Sequence, residues 1–139
     1  MFSRKSGKLN RTKPVVSQDA TPVFSSVHVD VERIGPALYV LVKDEHITER
    51  EAGILYDETD AQIDERCTAI VLDFSQVTML ASAGIGTLVR LHKRIGERKG
   101  SLAVCAMSED LAELFKLTRM DKLITVKPDR VTALAGLTP

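Results

Sequence analysis

No stretch of this 139-residue sequence approaches the roughly 20 consecutive apolar residues needed to cross a bilayer, so no direct membrane insertion is expected. The amino-terminal segment has no apolar core behind its basic residues, and no secretory signal is expected. The two cysteines, Cys67 and Cys105, make no CxxC pair and join no Cys/His cluster of metal-ligand spacing. In their apolar surroundings they read as two reduced, buried thiols, as in a cytoplasmic protein. A Walker-type Gly-Lys-Ser/Thr sequence is missing, and no nucleophile–base pair or metal set is identifiable. No catalytic residue, metal or cofactor is assigned, and an enzyme is not expected.

Net charge is also absent, with 19 Lys+Arg against 19 Asp+Glu. The charges are nevertheless unevenly placed. Residues 1–24 hold Arg4, Lys5, Lys8, Arg11 and Lys13 against Asp19 alone, which leaves the rest of the chain mildly acidic. That balance argues against a nucleic-acid binder. Aromatic residues make up only 4% of the chain. The cluster Arg90, Lys93, Arg94, Arg98 and Lys99 has none nearby, so it reads as a solvated face or a contact for an acidic partner, not a nucleic-acid platform.

What is present is an ordinary globular composition, 44% apolar and 27% charged, at a length suited to one domain. Residues 1–25 are polar and basic with little periodicity and read as a flexible tail; residues 26–139 read as the domain. Ser26–Arg33 alternates apolar and polar residues as a half-buried strand does. Gly35-Pro36 supplies a turn to a more apolar strand, Ala37–Val42. Thr48 to about Arg66 reads as a helix, with Thr48 and Glu51 placed for a capping box. Strands are expected at Ala69–Asp73, Ser101–Cys105 and Leu123–Val126. Helices are expected over Ala83–Arg98, from Ser108, and over Asp129–Leu137. The order β-β-α-β-α-β-α-β-α predicts an α/β fold, a mostly parallel sheet with an antiparallel start.

The most informative stretch is Val71–Gly86, VLDFSQVTMLASAGIG, a buried strand, a loop, and a Ser-Ala-Gly-Ile-Gly turn opening a helix. Ser82 falls at or next to that helix N-terminus. Two roles are open to it. Its hydroxyl can cap the helix, or it can carry a phosphate beside unpaired backbone N–H groups and the positive end of the helix dipole. Gly84 and Gly86 both oppose helix formation in the first turns, so each needs a compensating reason: tight packing, or close approach by a partner or a phosphate. Asp73, Ser75 and Thr78 read as hydrogen-bonding loop groups, Ser108 as an N-cap, and His92 as a packed histidine.

The run Ile70–Val89 resembles the signature of STAS domains, the anti-sigma factor antagonists and their relatives. The likeness continues through Leu91–Cys105 and through Leu114–Ile124, and covers roughly residues 27–137. It implies one small α/β domain with helices largely on one face. In antagonists of this family the loop reads Asp-Ser-Ser/Thr/Ala-Gly-Leu-Gly, and the serine after Asp is phosphorylated by a partner anti-sigma factor that is itself a serine kinase. Ser82 matches that serine, and Gly84, Ile85 and Gly86 match the Gly-Leu-Gly. Ala81 stands where the family usually has Asp. The resemblance implies a regulatory binding module that docks an anti-sigma factor serine kinase through Ala81, Ser82, Ala83, Gly84, Ile85, Gly86 and Arg90. Phosphorylation of Ser82 would release it. The alternative is an accessory subunit of an ABC-type transport system, bound to its cytoplasmic ATPase or permease without phosphorylation.

Overall fold

The computed structural model describes residues 20–135, so the basic segment 1–19 and residues 136–139 lie outside the described residues. Along the chain run β1 (Thr21–Ser25), β2 (Val29–Ile34), β3 (Ala37–Val42), β4 (His46–Ile47), α1 (Glu49–Asp60), β5 (Ala69–Asp73), β6 (Met79–Leu80) and α2 (Ser82–Gly96). They are followed by β7 (Ser101–Cys105), α3 (Glu109–Leu117), a 3-10 turn (Met120–Lys122), β8 (Thr125–Lys127) and α4 (Arg130–Ala135).

Six strands form one sheet in the order β1-β2-β3-β5-β7-β8, and β4 and β6 form a separate two-stranded pair. The two junctions β1/β2 and β2/β3 are antiparallel, and the remaining three are parallel. Gly35, at φ 59°, supplies the left-handed residue of the β2–β3 turn, a conformation that costs glycine nothing.

Period-two alternation sorts the strand residues onto two faces. Leu38 pairs with Ile70 and Ile70 with Leu102; Val40 pairs with Leu72 and Leu72 with Val104. These rows face α1, α2 and α3, with Leu55, Leu88, Leu91, Ile95, Leu111 and Phe115 packed on them in the main core. Residues of the other parity, Tyr39, Val71 and Cys105, form a smaller core beneath Ala133 and Leu134 of α4. Three helices therefore cover one face and the short α4 covers part of the other, as the expected fold class requires.

Several boundaries differ from the sequence reading: the strand expected from Ser26 starts at Val29, and the one expected over Leu123–Val126 spans Thr125–Lys127, because the Leu123 and Ile124 amides close the preceding 3-10 turn on the Met120 carbonyl. The helix expected to reach Arg66 ends at Asp60, because its apolar stripe fails there and Asp64 organises a turn instead. The Asp64 carboxylate accepts from the Arg66 amide at 2.9 Å and from Arg33 at 2.8 Å. At the other end, Thr21–Ser25, expected within the tail, pairs with β2 as an edge strand. Pro22 and a register shift between Pro22 and Phe24 break its alternation, which is why it does not read as a strand.

Parallel helices α1 and α2 are joined along a seam. The buried Thr87 hydroxyl donates to the Ala52 carbonyl at 2.8 Å, the Arg90 guanidinium lies 3.8 Å from the Tyr56 ring centroid, and Arg94 Nε donates to Asp60 at 2.8 Å. Arg98 Nε reaches the Cys67 carbonyl at 3.2 Å. Arg90 and Arg94 thus line an interhelical seam, and Arg98 ties the end of α2 to the loop before β5, where the sequence pattern suggested only a solvated or partner-facing patch.

Candidate functional site

The loop before α2 is held by backbone. Two amides, Thr78 and Met79, donate to the Glu45 carbonyl at 2.8 and 3.1 Å, and the Thr78 hydroxyl reaches the same oxygen at 3.2 Å. The Ala81 amide donates to the Ile47 carbonyl at 2.9 Å. His46 and Ile47 pair in parallel with Met79 and Leu80. The segment 45–47, to which the sequence assigned no role, is therefore one wall of the site. Its contribution runs through main-chain oxygens, which leave no trace in residue type.

Ala81 is the N-cap of α2, with φ −79° and ψ 171°, and it has no side-chain cap. Ser82 is the first helical residue and does not cap the helix, which overturns the capping reading. The reason is one residue of phase: an N-cap hydroxyl must sit on the residue before the first helical φ/ψ pair. The Ala81 carbonyl accepts from the Gly84 and Ile85 amides at 2.8 and 3.2 Å. The amides of Ser82 and Ala83, the two earliest of the helix, have no acceptor among the described residues. The Ser82 side chain is exposed and makes no hydrogen bond there.

The two glycines separate in role. A β-carbon on Gly84 would meet Leu80 Cδ1 at 2.3 Å and Ile47 Cγ2 at 3.1 Å, so Gly84 lets α2 close on the β4–β6 pair. A β-carbon on Gly86 would meet nothing within 4 Å. Ser82, Gly86 and Arg90 are all exposed, and their spacing of four aligns them along one ridge of α2. Ala83 and Ile85 are half-buried beside that ridge and pack on the core.

Asp73, at the end of β5, is not free for chemistry. One carboxylate oxygen accepts from the Ser75 amide at 2.8 Å, the other from the Tyr39 hydroxyl at 2.5 Å. Burial and then the bond to Asp73 push the Tyr39 phenol far above its ordinary range. Burial also pushes the thiols of Cys67 and Cys105 upward. Arg130 of α4 stacks 4.3 Å from the Tyr39 ring centroid and pairs with Glu32 at 3.0 Å. Phe24, Asp30, Leu41 and Asp73 join these groups around an open cavity of about 450 Å³ on the α4 face of the sheet, away from Ser82. The Ser25 hydroxyl, and then the Lys43 ammonium, hold the Asp30 carboxyl below its usual range. Ser108 accepts from the Leu111 amide at 3.2 Å and caps α3, as expected. His92 is half-buried on α2, with its buried Nδ1 unpartnered among the described residues. No group of three or more metal-ligating side chains occurs among the described residues, and no described helix is long and apolar enough to cross a membrane.

Comparison with known proteins agrees with this architecture. The STAS domain model matches residues 25–133. The chain is 27% identical to the anti-sigma F factor antagonist of Paenibacillus polymyxa over 86 residues, 58% of this chain and 74% of the relative. It superposes on an anti-sigma factor antagonist from Mycobacterium paratuberculosis with a TM-score of 0.70 at 26% identity, covering 78% of this chain and 92% of the other. The fold is shared with an anti-sigma-factor antagonist (STAS) domain protein from Planctomyces limnophilus, at TM-score 0.71 and 20% identity over 82% of this chain and all of that one. From its sheet order to the glycine-bearing start of α2, the chain belongs to the STAS domain family.

Proposed function

We propose that this protein is a regulatory binding module of the anti-sigma factor antagonist type, docking a serine-kinase anti-sigma factor through residues 81–86 and the exposed ridge of α2. Phosphorylation of Ser82 is the release switch, and the protein is the kinase's substrate with no active site of its own. The observation that carries this reading is Ser82 itself: exposed, unengaged among the described residues, and beside two helix amides with no acceptor there. A phosphoryl group there adds about −1.5 to −2 charges at neutral pH. The free amides and the helix dipole accommodate it without unfolding the helix. On a docking surface the same charge repels an acidic partner and adds a desolvation cost. Every ~1.4 kcal/mol of that penalty lowers affinity tenfold.

Ala81 favours a second reading, a STAS subunit of an ABC-type transport system that binds its ATPase or permease without modification. The two readings part in one experiment. Wild-type and Ser82→Glu baits are used to capture partners from native cells, followed by mass spectrometry and phosphosite mapping. A serine-kinase anti-sigma factor recovered with wild type and lost with Ser82→Glu, together with phosphate on Ser82, is the expected result. An ABC ATPase or permease recovered equally with both baits overturns the phosphoswitch.

A further inference from the structure

Residues 116–127, the end of α3, the 3-10 turn and β8, bring together three features of a docking surface. The first is exposed apolar area. Leu117 is 74% exposed, Leu123 43% and Val126 37%, three of the seven large exposed hydrophobic residues among those described, within ten positions of sequence. Exposed apolar side chains concentrated in one short segment point to an interaction surface more than scattered single residues do. The second is unpaired charge. Lys116, Arg119, Lys122 and Lys127 stand against Asp121 alone, and none of the four makes an ion pair or a side-chain hydrogen bond to the described residues.

The third is an open sheet edge. Among the described residues, β8 pairs with β7 on one side only. The Lys127 carbonyl accepts from the Ala106 amide at 3.3 Å on the β7 side. Strand alternation then turns the N–H and C=O of Val126 outward. The opposite edge, β1, is blunted by Pro22 and a register irregularity; β8 is only three residues long and ends on Lys127, but has no proline or bulge within it.

We propose that this edge receives an extended acidic segment of a partner protein, which adds as a strand beside β8. Backbone bonds to Val126 supply the pairing, and alternate side chains supply the fit. Val126 pairs with Val104 of the main core and so stands on the helix face, where the segment's apolar side chains cover it. Carboxylates on the other face reach Lys127, and those flanking the strand reach Lys122 and Arg119. A second copy of this chain is disfavoured as occupant, because pairing β8 with itself opposes like cations. An anionic bilayer matches the lysines and leucines but leaves the outward peptide groups of Val126 unsatisfied in an apolar phase. With β7 between β8 and β5, the surface is separate from the Ser82 loop and can be occupied together with it.

The test is a titration of the full-length, isotopically labelled chain with a short synthetic peptide alternating Glu and Val, followed by amide NMR shifts up to millimolar peptide. The expected result is shifts concentrated in residues 117–127. The Lys122→Glu/Lys127→Glu double variant should weaken binding by about tenfold or more. Val126→Pro should remove it while leaving the circular dichroism spectrum intact, since the lost N–H faces outward. Four outcomes overturn the proposal: no localised shift at millimolar peptide, equal shifts with a Lys/Val peptide, binding to phosphatidylserine vesicles without a response to the peptide, or self-association through this edge.

Discussion

Gly84 and Leu80 are packed so closely that a β-carbon on the glycine would lie 2.3 Å from the leucine Cδ1, while Gly86, half a helical turn on, faces open space. The pair therefore predicts opposite outcomes for one substitution. Gly84→Ala forces Leu80 and Ile47 to shift, and is expected to cost about 1–2 kcal/mol after its gain in helix propensity. Gly86→Ala meets nothing and should stabilise the protein by about 0.5–1 kcal/mol. If Gly86 also admits a partner's close approach, Gly86→Ala weakens capture of that partner while raising stability. Urea unfolding of both variants, with partner capture alongside, measures the contrast; equal destabilisation by the two would contradict the packing.

Ala81 leaves the N-cap position of α2 without a side-chain acceptor. Ala81→Asp restores an acceptor for the early helix amides and a negative charge at the positive end of the dipole. It should stabilise the fold by about 1 kcal/mol, read as a higher urea midpoint with unchanged slope. Ser82→Ala, by contrast, removes no hydrogen bond to the described residues and should change stability by less than about 0.5 kcal/mol. A larger loss with Ser82→Ala than with Gly84→Ala would reverse the assignment of roles at this helix start.

These two positions also mark how far the sequence could be read. The sheet strands Ala37–Val42, Ala69–Asp73 and Ser101–Cys105 fall where apolar runs between turn residues place them, because buried parallel strands leave a strong compositional signal. The start of α2 was legible to within one residue, and that residue decides whether Ser82 caps the helix or stands free. The β4–β6 pair was not legible. Two-residue strands carry no periodicity, and their bonds from Glu45 and Ile47 to the Thr78–Ala81 loop are all accepted by main-chain oxygens. Nor did either glycine announce its role, because Gly84 and Gly86 differ only in what the fold brings near them.

Thr59 is fully buried at the end of α1, and its hydroxyl has no partner among the described residues. An isosteric Thr59→Val removes the unpaired polar atom and keeps the volume, so it should be neutral or stabilising by up to about 1 kcal/mol. Thr87 is the control. Its hydroxyl donates to the Ala52 carbonyl, and Thr87→Val should lose about 1 kcal/mol. Thermal melts of the two variants should move in opposite directions or, at the least, differ by that amount; equal shifts would mean that the Thr59 hydroxyl is satisfied in solution.

Alkaline pH should unfold this protein through groups that the core keeps protonated. Unfolded, the cysteines ionise near 9.0 and Tyr39 near 10.0; folded, burial raises all three, with the Asp73 bond adding to the rise at Tyr39. Below pH 9 both states hold these protons, and stability is indifferent to them. Above it the unfolded chain releases protons that the folded chain retains, so stability falls as pH rises. Each group steepens the fall by up to about 1.4 kcal/mol per pH unit beyond its unfolded value. Urea midpoints measured from pH 7 to 11 should therefore decline from about pH 9. The double variant Cys67→Ala/Cys105→Ala, whatever its absolute stability, should delay the onset toward the tyrosine range. Parallel pH profiles for wild type and double variant would show that the thiols ionise equally in both states, and that their burial does not set the alkaline limit.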